Sequence, residues 1–193
     1  MEQTGLLRAL TPWVLAAAMQ QCRALQDLDI PVTVSINLSV RDLQDPQLVD
    51  TVAEQLAAHQ VNPQRLEIEV TESALMSERE RAQETLVRLS EMGLKVAIDD
   101  FGTGYSSLAY LKSLPVDVIK IDRSFVTAMA RNENDAAIVH ASIDLAHHLD
   151  LEVVAEGVET EEVLRRLQAL GCDGGQGLYI SRPLSAEDLL LWL

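Results

Sequence analysis

The sequence predicts an α/β fold in which parallel strands alternate with helices, as in a closed (β/α) barrel or an open doubly wound sheet. Two regularities carry that expectation. Short apolar, β-branched runs alternate with longer helical patterns along the chain, which is the signature of a parallel sheet. A polar residue also stands near the C-terminal end of each run: Asn37, Glu69, Asp99, Lys120, Glu156 and Gln176 in turn. Their spacings of about 20 to 36 residues each fit one strand-plus-helix unit. In a closed barrel such positions meet at one mouth, where active sites sit, whereas an open doubly wound sheet would spread them along a line. No GxGxxG or GxxxxGK[ST] pattern occurs, so a dinucleotide or P-loop site is unsupported.

Met1 to Leu10, at the start of the chain, reads as a loop or the tail of a helix. Thr11-Pro12 reads as the N-cap and first position of a helix reaching about Leu28, with Trp13-Val14, Ala17-Ala18 and Cys22 as its apolar stripe. Pro31 breaks the chain, and Val32 to Ser39 alternates as a strand. Asp45-Pro46 opens a helix over about Gln47 to His59, and Asn62-Pro63 is a turn. Leu66 to Thr71 is a strand with Glu69 near its end; Glu67 shares the face of Glu69, and parity alone does not separate their roles. Ser77 caps a helix from about Glu78 to Met92 that Gly93 ends.

Lys95 to Asp100 is the next strand, and a glycine-punctuated loop continues from Phe101 to Ser107. Ser106 to Leu114 is a short helix stopped by Pro115, and Val116 to Ile121 is a strand that precedes Asp122. Asn134 to Leu149 is a helix, and Glu152 to Glu156 a strand with Gly157 and Glu159 after it. Thr160 to Leu170 is a helix closed by Gly171. Gln176 sits in a short segment, Ser181 to Leu184 is a loop, and Ser185 caps a last helix. His59, His140, His147 and His148 fall on helical segments and read as surface or packing residues.

A chain of 193 residues that is 48% hydrophobic can bury one sizeable core, so residues 1–193 are expected to form a single domain. Fifteen basic against 30 acidic residues give a net charge of −15. That excludes broad electrostatic binding to DNA or RNA, which needs a basic face. No run approaches the ~20 apolar residues of a membrane span, and the N-terminus lacks the order of a signal peptide. Cys22 and Cys172 fit neither a metal-ligand spacing nor a disulfide framework. They read as reduced, packed thiols of a cytoplasmic protein.

The chemistry concentrates where the Lys95 strand ends in Asp99-Asp100. Alone, an Asp-Asp pair reads as an Asx-type turn with solvated acids. At a strand end, among the other polar strand ends, the two carboxylates are a place to hold one divalent cation or bridge two. An acidic chain that acts on a phosphate ester needs such a cation to invert the local charge.

The segments SINLS (35–39), EVTES (69–73), DDFGTGYSSL (99–108), KIDRSFV (120–126), AEGVET (155–160) and QGLYISRPL (176–184) closely resemble the EAL family of cyclic di-GMP phosphodiesterases. The resemblance implies a triosephosphate-isomerase-type (TIM-type) barrel, hydrolysis of cyclic di-GMP to linear pGpG, and a requirement for Mg²⁺ or Mn²⁺, two ions in a complete site. It implies that Asn37, Glu69 and Asp99 ligate the first metal, and Asp99 and Asp100 the second. Glu156 becomes the candidate general base. Lys120 orients the attacking water or steadies the developing charge, and Gln176 contacts substrate or water. Glu72 resembles the glutamate that anchors the Asp99–Leu108 loop, while Asp122 and Glu159 are supporting acids around the site.

The family's namesake Glu-Ala-Leu does not occur, and Glu2 to Leu6 resembles the residues just C-terminal to that tripeptide in the family. Full barrels run to about 250 residues, so an incomplete barrel lacking its first one or two strands is expected. A first-metal carboxylate and an arginine would then be missing, which lowers metal affinity and rate. An open edge at Val32–Ser39 would invite a homodimer or a swapped assembly. The competing reading is a non-catalytic module that binds cyclic di-GMP or another protein.

Overall fold

The computed structural model describes residues 6–77, 79–104 and 108–193. The expected stretch before Leu6, the loop at Tyr105–Ser107 with the start of the Ser106 helix, and the helix start at Glu78 lie outside the described residues. Among the described residues six strands join one sheet in sequence order, and the three pairings whose register is resolved are parallel, as the alternating pattern predicts. The chain divides into two compact units, Met1–Ala97 with Leu108–Val116, and Ile98–Ser107 with Asp117–Leu193.

The first unit begins with α1 (Leu6–Asp27), which runs through Pro12 instead of starting there. Thr11 is therefore no N-cap. Its hydroxyl donates instead to Asp42 Oδ1 at 2.6 Å, and the helix tolerates the one backbone bond that Pro12 cannot make. Strand β1 (Val34–Asn37) is shorter than predicted, because Ser39 caps an unforeseen helix α2 (Val40–Leu43). The Ser39 side chain accepts from the Asp42 N–H, and the Ser39 N–H donates back to Asp42 Oδ2 at 2.8 Å. Helix α3 (Leu48–His59) leads to β2 (Leu66–Thr71), and the short α4 (Glu72–Ser77) precedes α5 (Arg79–Glu91). Ser77 closes α4, and α5 occupies the stretch that the sequence assigns to the helix after it.

Alternation along β2 puts Leu66, Ile68 and Val70 on one face, and all three are fully buried, as are Leu15 and Met19 of α1, Val52 of α3, and Leu86 and Leu89 of α5. Each such fully buried aliphatic side chain contributes about 1.5–3 kcal/mol. Helix α6 (Leu108–Leu111) is fastened by Tyr110, whose hydroxyl donates to the carbonyls of Leu75 (3.3 Å) and Arg79 (3.1 Å).

Strand β3 (Lys95–Phe101) gives its first three residues to the first unit and the rest to the second. The second unit continues with β4 (Val118–Ile121), α7 (Arg123–Ala128), α8 (Glu133–His148), β5 (Glu152–Glu156), α9 (Glu161–Ala169), β6 (Gly174–Gln176) and α10 (Ala186–Trp192). All four β4 residues are buried. The side chains of Asn132, Thr160 and Ser185 cap α8, α9 and α10. Helix α7, which the sequence did not announce, is capped by Asp122. Cys22 and Cys172 are free thiols whose pKa values burial pushes up. Both are packed against backbone carbonyls, as inert structural cysteines are.

One carboxylate ties α8 to the start of β5. Asp173 accepts from the Val153 N–H at 2.8 Å and pairs with His147 Nε2 at 2.9 Å. Burial works to raise its pKa, but the hydrogen bonds from His147 and Val153 hold it below the ordinary value of 3.8. The unfolded chain then takes up the proton first. The stability that Asp173 contributes is complete above the unfolded value and is lost as pH falls through the folded one. Urea midpoints should drop as pH falls below the ordinary carboxylate value, and Asp173→Asn should flatten that drop. Equal slopes for the two proteins would show that the pair contributes nothing.

Candidate active site

In the first unit, Asn37 and Glu69 are register partners at the ends of β1 and β2, and the Leu38 N–H donates to the Glu69 carbonyl at 2.9 Å. The Glu69 side chain is buried and that of Asn37 is exposed. Two residues earlier on the same face, Ser35 Oγ donates to Glu67 Oε1 at 2.8 Å. The two glutamates that parity could not separate thus differ: Glu67 serves a cross-strand hydrogen bond, and Glu69 stands beside Asn37. Glu72 is the buried first residue of α4.

In the second unit, β3 ends in a turn that gathers charge. The Asp100 N–H donates to Asp99 Oδ1 at 2.9 Å, and Asp100 adopts φ +54°, a left-handed conformation uncommon outside glycine. The left-handed residue interrupts the strand's alternation directly after Asp99. Thr103 holds the turn, donating to the Asp100 carbonyl from its N–H (3.3 Å) and its hydroxyl (2.8 Å).

The Asp100 carboxyl is hydrogen-bonded to Asp122. Burial, together with the like charges of Asp99 and Asp122, raises its pKa, and the Lys120 ammonium pulls part of the way back. For Asp122 burial also works upward. The Ser124 hydroxyl and N–H, together with Asp100, outweigh it and bring Asp122 below the ordinary range. Asp99 and Asp122 both stand near enough to act on Asp100, and carboxylate oxygens are hard donors of the kind a divalent cation takes. Among the described residues, no three His, Cys, Asp or Glu side chains are gathered closely enough to hold a metal by themselves.

Lys120 and Glu156 form an ion pair at 2.6 Å, with the lysine side chain 5% and the glutamate 19% exposed. Lys120 lies opposite Val154 in the β4–β5 register, so Glu156 reaches it from two residues further along β5. Glu156 is the register partner of Gln176 on β6, and the Val158 N–H donates to the Gln176 carbonyl at 3.0 Å. Glu159 is exposed on the turn between β5 and α9, outside these contacts.

The predicted residues therefore form two groups. Asn37 and Glu69 sit on adjacent strands of the first unit. Asp99, Asp100, Asp122, Lys120, Glu156 and Gln176 belong to the second. Sequence reasoning understated Asp122, which touches Asp100 directly; the Asp-x-Ser cap in Asp122-Arg123-Ser124 was its available signal.

A family model described as the EAL domain matches residues 1–183. The bifunctional diguanylate cyclase/cyclic di-GMP phosphodiesterase MucR of Pseudomonas aeruginosa is 44% identical over 190 residues, which is 98% of this chain and 28% of MucR. The cyclic di-GMP phosphodiesterase PA2567 of the same organism is 38% identical over 192 residues, 100% of this chain and 33% of that protein. The chain thus spans about a third or less of the length of these relatives. A solved structure of the PaMucR phosphodiesterase in complex with c-di-GMP superposes with a TM-score of 0.94 at 44% identity, covering 97% of this chain and 76% of that one. With six strands in sequence order, the fold is an incomplete TIM-type α/β barrel.

Proposed function

Because the chain belongs to the EAL domain family, we propose that it hydrolyses one ester of cyclic di-GMP to give linear pGpG, with Mg²⁺ or Mn²⁺ held by Asn37, Glu69, Asp99 and Asp100. The observation that carries this reading is the buried Lys120–Glu156 pair, set at adjacent strand ends whose ammonium is felt by the crowded Asp100. When bound, the ions supply the positive charge that an anionic phosphodiester needs and make water at the site more acidic. Glu156 accepts a proton from the attacking water as the oxygen–phosphorus bond forms and the bond from phosphorus to the ribose 3′ oxygen breaks. Lys120 orients that water through Glu156 and opposes the negative charge that develops on the phosphoryl oxygens.

Gln176, beside Glu156, contacts substrate or water. Asp122 holds the Asp100 carboxyl, Glu159 is a more distant acid, and Glu72 anchors the loop that begins at Asp99. Residues 1–193 act as one partial barrel domain in the cytoplasm, and the β1 edge of the sheet supports a homodimer or swapped assembly.

Incubation of the chain with cyclic di-GMP and Mn²⁺ should yield pGpG on chromatography. A chelator should abolish the product, and added Mn²⁺ should restore it. Binding of cyclic di-GMP without turnover at any metal concentration would replace this reading with that of a binding module.

A further inference from the structure

Resting on the proposed active site, the geometry points to Phe125 as a positioning residue that keeps the Asp99–Asp100 turn in the shape that receives a divalent cation. The turn contains two left-handed residues, Asp100 at φ +54° and Gly102 at φ +99°, on either side of Phe101. A left-handed non-glycine residue costs on the order of 1–3 kcal/mol and persists only where its surroundings hold it. Thr103 holds the turn from within, and part of what surrounds it belongs to α7. Its capping residue donates from the Asp122 N–H to the Phe101 carbonyl at 3.4 Å. One helical turn on, the Phe125 ring closes over Gly102 so tightly that a Cβ there would lie 3.0 Å from the ring. Phe125 is itself fixed, its N–H bonded to the Asp122 carbonyl (3.2 Å) and its carbonyl to the Met129 N–H (2.9 Å).

The same short helix braces the other half of the site. Gly157 comes directly after Glu156, and a Cβ on it would fall 2.6 Å from Arg123 Cβ and 3.2 Å from Thr127 Oγ1. Thr127 Oγ1 also reaches the Gly157 carbonyl at 3.5 Å. Helix α7 therefore touches both turns that carry the acids, through Phe125 on one side and through Arg123 and Thr127 on the other. Phe125 has no charge and no side-chain donor. Any influence it has on a cation must pass through the placement of Asp99 and Asp100.

Titration of the 193-residue chain with Mn²⁺, monitored by the spectrum of the free ion, tests this. Phe125→Ala should weaken Mn²⁺ binding about tenfold or more, the size typical of losing a group that orients metal ligands. Phe125→Leu should recover part of the affinity, and it carries the test if the alanine variant does not fold. Val126→Ala, at a fully buried position on the same helix, should lower the urea midpoint without changing Mn²⁺ affinity. In turnover, the Phe125 variants should lose kcat while KM for cyclic di-GMP stays nearly constant. Mn²⁺ affinity within about twofold of wild type in the Phe125 variants, or an equal loss in Val126→Ala, overturns the inference alone. Wild-type protein that binds no Mn²⁺ overturns the proposed active site and takes this inference with it.

Discussion

Glu156→Gln is expected to lower cyclic di-GMP turnover by about 10²–10⁴-fold, the contribution typical of a positioned general base. It is also expected to destabilise the chain, and the two effects are separable. Glutamine keeps the shape of the side chain but cannot accept the proton of the attacking water. It also withdraws the carboxylate that sits 2.6 Å from a lysine whose side chain is 5% exposed. Breaking a buried pair by removing one partner costs about 3–5 kcal/mol, because the other charge remains in a poorly solvated place. Here the cost should lie toward the lower end of that range, since Asp100 still faces Lys120 electrostatically.

Lys120→Met should cost less stability than Glu156→Gln. It leaves behind the better hydrated member of the pair, with 19% of its side chain exposed. The double variant Lys120→Met/Glu156→Gln should regain part of the stability lost in Glu156→Gln and none of the activity, since no ion is left unpaired but the base is still gone. Urea denaturation measures the first comparison and single-turnover formation of pGpG the second. A Glu156→Gln enzyme that retains more than about a tenth of wild-type turnover would remove Glu156 from the role of base.

Long elements were the legible part of the fold. Strand β5 occupies the residues that its β-branched run predicts, and the caps at Thr160 and Ser185 fall where hydroxyl residues precede apolar periodicity. The helices that the sequence hid, α2, α4 and α7, have four to six residues, too few to display a period. Pro12 misled for a different reason. A proline marks a helix start by statistics, and here α1 runs through it while Thr11 bonds to a carboxylate 31 residues away.

The candidate residues could be named from motif and strand end, but their pairings could not. That Asn37 faces Glu69, and that Lys120 meets Glu156 across a two-residue offset, are facts of register, which a lone strand does not encode. The contact between Asp100 and Asp122 depends on a left-handed turn that Asp-Asp does not announce.

Gly177→Ala is expected to be the most damaging single methyl in the second unit, for a reason that differs from the usual one for glycine. A Cβ at Gly177 would lie 2.3 Å from both the nitrogen and the oxygen of Val158, and 2.7 Å from its carbonyl carbon. Those atoms are backbone and cannot rotate aside. They are also engaged: the Val158 N–H donates to the Gln176 carbonyl, and the Val158 carbonyl accepts from the Tyr179 N–H, each at 3.0 Å. Making room means breaking both bonds and moving the fully buried Val158, two residues after Glu156 and close to the β5–β6 pairing. Two lost hydrogen bonds at about 1–3 kcal/mol each put the cost at roughly 2–6 kcal/mol, and the Glu156–Gln176 register should be lost with them. Gly171→Ala supplies the contrast. Gly171 has φ +80° and nothing within 4 Å of where a Cβ would stand, so alanine there should cost only the left-handed penalty of about 1–2 kcal/mol. The urea midpoints of the two variants decide between close backbone approach and conformational freedom as the reason for glycine at 177. A Gly177→Ala protein no less stable than Gly171→Ala would mean that Val158 gives way easily, and that the end of β5 is softer than its hydrogen bonds imply.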